Sequence, residues 1–123
     1  MNRLLKVTAI FEAATGLALI IVPSLVAQLL LGTELSGVAI VVARVAGVGL
    51  FSLGVACWPI EEGTRAQLCA MLTYDVLVTF YLLYVAIGGE WIGVLLWPAI
   101  VLHGVLTLLL ARQWFKQQKN RSA

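Results

Sequence analysis

Glu12, Arg44, Asp75 and His103 are ionisable residues that each lie inside a different long apolar stretch of the chain. At bilayer depth a charged side chain costs about 2.5–3.5 kcal/mol even on a lenient insertion scale. One such residue per stretch points to a shared polar cluster where four helices meet. Ionised Glu12 and Asp75 against Arg44 alone leave one negative charge uncompensated, so neutrality needs a protonated His103 or a protonated carboxyl. Such a cluster titrates as a coupled unit and holds one labile proton, which suits proton exchange or the binding of a polar head group. The competing reading is architectural: a buried network of ion pairs and hydrogen bonds that fixes helix order.

The elements that must position these residues follow from composition. The chain has 123 residues, 62% of them hydrophobic and 11% charged, and its mean hydropathy is +1.02. About 20 apolar residues span a bilayer, so this length accommodates four crossings and no separate soluble domain. The crossings are predicted at positions 4–22, 36–58, 66–87 and 91–114, and Pro23 ends the first. The short stretch 24–31 cannot span and reads as a surface or re-entrant helix. Connections of a few residues make sequential neighbours antiparallel, giving an all-α, up-down-up-down four-helix membrane bundle.

Charge sets the orientation. Arg3, Lys6, Arg65, Arg112, Lys116, Lys119 and Arg121 fall on one side of these crossings, while the opposite loops carry Glu34 and Glu90 and no Lys or Arg. The positive-inside rule then places both termini in the cytoplasm, with the chain in the inner membrane. Trp58, Trp91 and Trp114 lie near predicted ends of crossings. Glu12 interrupts the apolar run that a cleavable signal peptide would need, so the first stretch reads as a retained crossing. The basic residues cluster at helix ends and form no patch facing a groove, which argues against a nucleic-acid partner. The partners expected are the bilayer and a second copy or another membrane subunit.

Depth and face support a cluster. Counted from the cytoplasmic ends, Glu12, Asp75 and His103 lie roughly 12–14 Å deep, and the Arg44 Cα about 21 Å deep, with a side chain long enough to approach the acids. An Arg44 contact with Glu12 or Asp75 is therefore expected. Thr8, Glu12, Thr15 and Gly16 share one stripe of the first helix, Asp75 has Thr79 at i+4, and His103 has Thr107 at i+4. Gly47 lies on the Arg44 face and lets a neighbouring backbone come close, either to seat the arginine or simply to pack helices.

Other chemistries fit less well. A single histidine excludes a bis-histidine haem within one chain. Glu12, Asp75 and His103 are legitimate metal ligands, but a nearby Arg44 would oppose a cation, so no metal is expected. No nucleophile motif or phosphate loop is present, which leaves no catalytic residue to assign. Cys57 and Cys69 match no metal spacing. Tyr74, Tyr81, Tyr84, Phe80 and Trp97 either line an aromatic pocket or face lipid.

The stretch LLKVTAIFEAATGLALIIVPSLVAQLLLG, followed by VVARVAGVGLFSLGVACW, resembles the small four-helix bacterial membrane proteins of the DoxX-like type. That resemblance implies a four-helix bundle, with relatives that serve as membrane subunits of quinone-linked redox systems. In size and in its early glutamate (AIFEAATG) the chain is also similar to the small multidrug resistance family, which would make Glu12 a proton-coupled residue. Three functions are thus carried forward. The first is a protein that binds a small hydrophobic or quinone-like ligand, or joins a redox complex, through the cluster. The others are a proton-coupled transporter working as a homodimer and an interaction protein with no ligand.

Overall fold

The computed structural model describes residues 2–122, and among these every regular element is a helix. In chain order they are α1 (Asn2–Ile21), α2 (Pro23–Leu31), α3 (Val38–Ala56), α4 (Arg65–Gly88) and α5 (Leu96–Ser122). All but α2 are long and apolar enough to cross a bilayer, which makes this a multi-pass membrane protein. Val22 leaves the helical conformation (φ −130°, ψ 60°) and Pro23 opens α2, as expected of a proline that cannot continue a helix but suits its first turn.

The fourth crossing differs from its predicted span of 91–114: the helix starts at Leu96 and runs to Ser122. Its late start has a cause in the outer loop. Gly93 N–H donates to the Leu30 carbonyl at 3.0 Å and Leu95 N–H to the Leu29 carbonyl at 2.8 Å, so these residues are committed to the C-terminal end of α2. A Cβ on Gly93 would collide with the Leu29–Leu30 backbone, which is why glycine stands there. The late end follows from the tail's composition. From Leu106 onward there is no glycine or proline, and Lys119 and Arg121 in the last turn complement the helix dipole.

The helices form two close antiparallel pairs, α1 with α3 and α4 with α5, and α1 joins the pairs by touching α4 and α5. The α1–α3 seam is unusually close. A Cβ on Gly16 would lie 2.5 Å from the Phe51 nitrogen, one on Gly47 2.6 Å from the Gly16 carbonyl oxygen, and one on Gly54 2.7 Å from the Ala9 carbonyl oxygen. Only glycine permits that approach. α3 is thereby held along the outer side of α1 and reaches the rest of the bundle mainly at its C-terminal end, beside the start of α1. There Cys57 and Leu53 pack with Leu5, Ala9, Leu68, Met71 and Leu110.

The same end is tied together by polar contacts. Thr64 and Gln67 form a reciprocal capping box at the start of α4, and the Gln67 side chain also donates to the carbonyls of Ala56 and Trp58. Asn2 donates to the Glu61 carbonyl at 2.6 Å and accepts from Gly63 N–H, anchoring the start of α1 to the α3–α4 turn. Lys6 lies over the Trp58 ring and Arg65 over the Trp114 ring, at 5.8 and 4.4 Å from the ring centroids.

Candidate functional site

Three of the four intramembrane ionisable residues come together. Glu12 from α1, Asp75 from α4 and His103 from α5 each bring a ligand-type atom to one place, all within 4.8 Å of one another. His103 Nδ1 and Asp75 Oδ1 share a hydrogen bond of 2.8 Å, and the same nitrogen lies 3.9 Å from Glu12 Oε1. Both acids are closed off, with Glu12 at 1% and Asp75 at 0% exposure, whereas the His103 side chain keeps 16%. The imidazole is the open edge of the site.

The helices fix this arrangement from both directions. Below it, the apolar cluster of Leu5, Ala9, Leu68, Met71 and Leu110 closes the end of the bundle where α1 and α4 begin. Thr8, one turn before Glu12 and fully buried, donates to the Leu4 carbonyl at 2.8 Å and is satisfied within its own helix. One turn after the acid and the imidazole, Thr79 and Thr107 meet at 3.3 Å. Each threonine also donates to its own helix, Thr79 to the Asp75 carbonyl and Thr107 to the His103 carbonyl. Because α4 and α5 are antiparallel, these two contacts cross at one level and together pin the α4–α5 register, and one of them is part of the site.

Polar satisfaction is incomplete at the acids. Glu12 Oε1 and Asp75 Oδ2 are buried and lack any hydrogen-bond partner among the described residues. Buried polar atoms are paired in the great majority of cases, so two orphaned carboxylate oxygens in one place are a local exception that calls for a partner.

Arg44 does not join them. It lies on an exposed face of α3 and makes no hydrogen bond or ion pair among the described residues, so the expected contact with Glu12 or Asp75 is not formed. The cause is the glycine seam, which lays α3 against α1 and keeps Arg44 away from α4 and α5. The cluster therefore has three members. It is also more acidic than the sequence implies, with two carboxyls, one imidazole and no guanidinium.

The supporting residues divide along the same line. Thr8, Thr79 and Thr107 flank the site. Gly16 and Gly47 belong to the α1–α3 seam, where helix packing rather than a seat for Arg44 accounts for them. Thr15 is exposed and donates to the Phe11 carbonyl, away from the site.

Tyr74 is the addition. Its ring meets His103 edge-on with centroids 6.2 Å apart, and its hydroxyl interacts with the Glu12 carboxylate. The signal for it was present in the sequence. Tyr74 shares the inward face of α4 with Met71 and Asp75, three to four residues apart, and only its grouping with the other aromatics concealed it. Phe80, Tyr81 and Tyr84 are 66–73% exposed and face outward, and Trp97 is half exposed, so these four form no pocket around the site.

Together the fold and the site define a multi-pass helical membrane protein with a buried carboxylate–imidazole centre. The chain matches no protein-family model, and no curated protein or solved structure is detectably similar to it.

Proposed function

We propose that this is a cytoplasmic-membrane protein, with both termini on the cytoplasmic side, that binds the polar head of a small hydrophobic ligand at Glu12, Asp75 and His103. The observation that carries the reading is the pair of orphaned oxygens, Glu12 Oε1 and Asp75 Oδ2. A packing network would satisfy its own polar atoms, whereas these acceptors are unspent and stand beside the one open edge of the site, His103. Unspent acceptors select a head group that donates, and hydroxyls of the quinol type are the lipid-soluble chemistry that fits. Asp75 holds His103 through Nδ1, which leaves the other ring nitrogen to exchange a proton with such a hydroxyl.

The test is extraction. Protein purified in mild detergent should release a lipid-soluble hydroxylated compound in near-stoichiometric amount, and Glu12→Gln and Asp75→Asn variants of unchanged helicity should release much less. Equal release from wild type and both variants would contradict the reading.

Arg44 favours a second role as a membrane subunit. A guanidinium on an exposed face of a crossing helix costs about 2.5–3.5 kcal/mol unless a carboxylate of a neighbouring helix or a lipid phosphate meets it. If a neighbouring subunit supplies that carboxylate, Arg44→Leu should release the chain from its complex on native gels. An unchanged complex would leave Arg44 to the lipid.

A further inference from the structure

We propose that Glu12, Asp75 and His103 form a binding site for one divalent first-row metal cation of the Zn2+ type. The donor set is one imidazole nitrogen and one oxygen from each of two carboxylates, within 4.8 Å of one another. Donors about 2.0–2.2 Å from a tetrahedral Zn2+ lie about 3.4 Å apart, so the widest pair needs to close by about 1.4 Å while the Asp75–His103 hydrogen bond at 2.8 Å opens to admit the ion. Rotation about the two carboxylate stems supplies that movement without shifting a helix.

Three independent observations converge on a cation. First, the two orphaned oxygens belong to residues that are 99% and fully buried, so unspent lone pairs are aimed inward where water does not compete. Second, two carboxylates and a neutral imidazole carry two negative charges, which a divalent ion brings to zero. A neutral assembly is the stable state in a low-dielectric interior, and a monovalent ion would leave one charge over. Third, the chemical objection to a metal was Arg44, and the α1–α3 glycine seam removes that charge from the site.

The ligand types narrow the ion. Imidazole with carboxylates suits Zn2+, Fe2+ or Mn2+, whereas Cu+ would require thiolates or thioethers, and Mg2+ and Ca2+ prefer all-oxygen sites. Cys57 takes no part, because its thiol donates to the Gln67 carbonyl where α3 closes and α4 begins. Tyr74, against both Glu12 and His103, is placed as the outer partner that orients two of the ligands. Three protein ligands leave at least one coordination position open at the His103 edge, where the head group proposed above would bind. This inference rests on the same site and the same two orphaned oxygens as that reading, and the experiment below separates the two.

The experiment is a metal titration of the full chain, stripped with chelator, in lipid nanodiscs. Zn2+ binding is followed by a competing chromophoric chelator, and Co2+ is used to report coordination by its visible absorption. One Zn2+ per chain is expected. Glu12→Gln, Asp75→Asn and His103→Asn should each bind about tenfold more weakly or worse, while Arg44→Gln should bind like wild type. In case these variants misfold, X-ray absorption of the wild-type zinc complex provides a second readout, with a nitrogen/oxygen shell containing one imidazole expected. Binding no greater than to empty nanodiscs, binding retained in all three ligand variants, or a sulfur-containing shell would each overturn the site. A chain that binds Zn2+ at these residues yet releases no lipid-soluble ligand would retain the metal site and lose the head-group reading; the reverse result would retain the head-group reading alone.

Discussion

Asp75 and His103, 28 residues apart in sequence, are joined at 2.8 Å, and Thr79 and Thr107, each four residues later on its own antiparallel helix, meet across them at 3.3 Å. The α4–α5 register and the site are therefore one structure: sliding the helices by a turn would break both contacts at once. Removing His103 alone strands a buried Asp75, so His103→Leu should destabilise the protein by about 3–5 kcal/mol, as one-sided removal of a buried partner does. Asp75→Leu with His103→Leu should cost clearly less than the sum of the single changes. Unfolding in mixed detergent gives the cycle; additive costs would show that the two residues do not interact.

Much of this arrangement was legible in the sequence, and the exception is instructive. Depth counted along each crossing brings Glu12, Asp75 and His103 to one level, and they meet because α1, α4 and α5 are neighbours there. Arg44 also fits by depth and reach, but depth is blind to which helix faces which. The Gly16, Gly47 and Gly54 contacts decide that, and glycines that seat an arginine look the same in sequence as glycines that press two backbones together. The late start of α5 was hidden for a related reason. Trp91 to Leu95 are apolar enough to extend the helix, but hydrogen bonds from Gly93 and Leu95 to α2, a tertiary contact, hold the chain out of it.

The glycine seam makes a contrast within one helix. A Cβ on Gly47 would meet the Gly16 carbonyl oxygen at 2.6 Å, whereas one on Gly49 would meet nothing within 4 Å. Gly47→Ala should therefore destabilise by about 1–3 kcal/mol through overpacking, while Gly49→Ala should be neutral or slightly stabilising, because alanine is the better helix former. Thermal unfolding in detergent separates the two. Equal effects would mean that α3 does not lie on α1 through Gly47.

The two cysteines report on the end of the bundle where α3 closes and α4 begins. Cys57 is buried at 2% exposure, its thiol donates to the Gln67 carbonyl, and burial pushes its pKa above the usual thiol value. Cys69 is exposed. At neutral pH a membrane-permeant maleimide should therefore modify Cys69 well before Cys57, with Cys57 gaining rate only as pH rises through its elevated pKa and the thiolate forms. Mass spectrometry of timed samples gives the order, and modification of Cys57 first would contradict the packing at the end of α3.

The proposed cytoplasmic placement of both termini rests on seven basic residues, Arg3, Lys6, Arg65, Arg112, Lys116, Lys119 and Arg121, against none in the opposite loops. A single cysteine at position 117 in a background lacking Cys57 and Cys69 should be shielded from an impermeant reagent in intact cells and react after lysis, and one at position 34 should do the opposite. Labelling of position 117 in intact cells would reverse the topology.

His103 is the only histidine in the chain, so its two ring nitrogens give one unambiguous pair of resonances. Solid-state NMR of the 15N-histidine-labelled protein in bilayers reports directly on whether a carboxylate–imidazole centre exists and whether it receives a ligand. The expected result is through-space contact from Nδ1 to the side-chain carboxyl carbons of both Asp75 and Glu12, and a shift of that nitrogen on adding a short-chain quinol to wild type but not to Glu12→Gln. A His103 nitrogen without contact to either carboxyl, or one whose resonance is the same with and without the quinol, would contradict the centre as a ligand site.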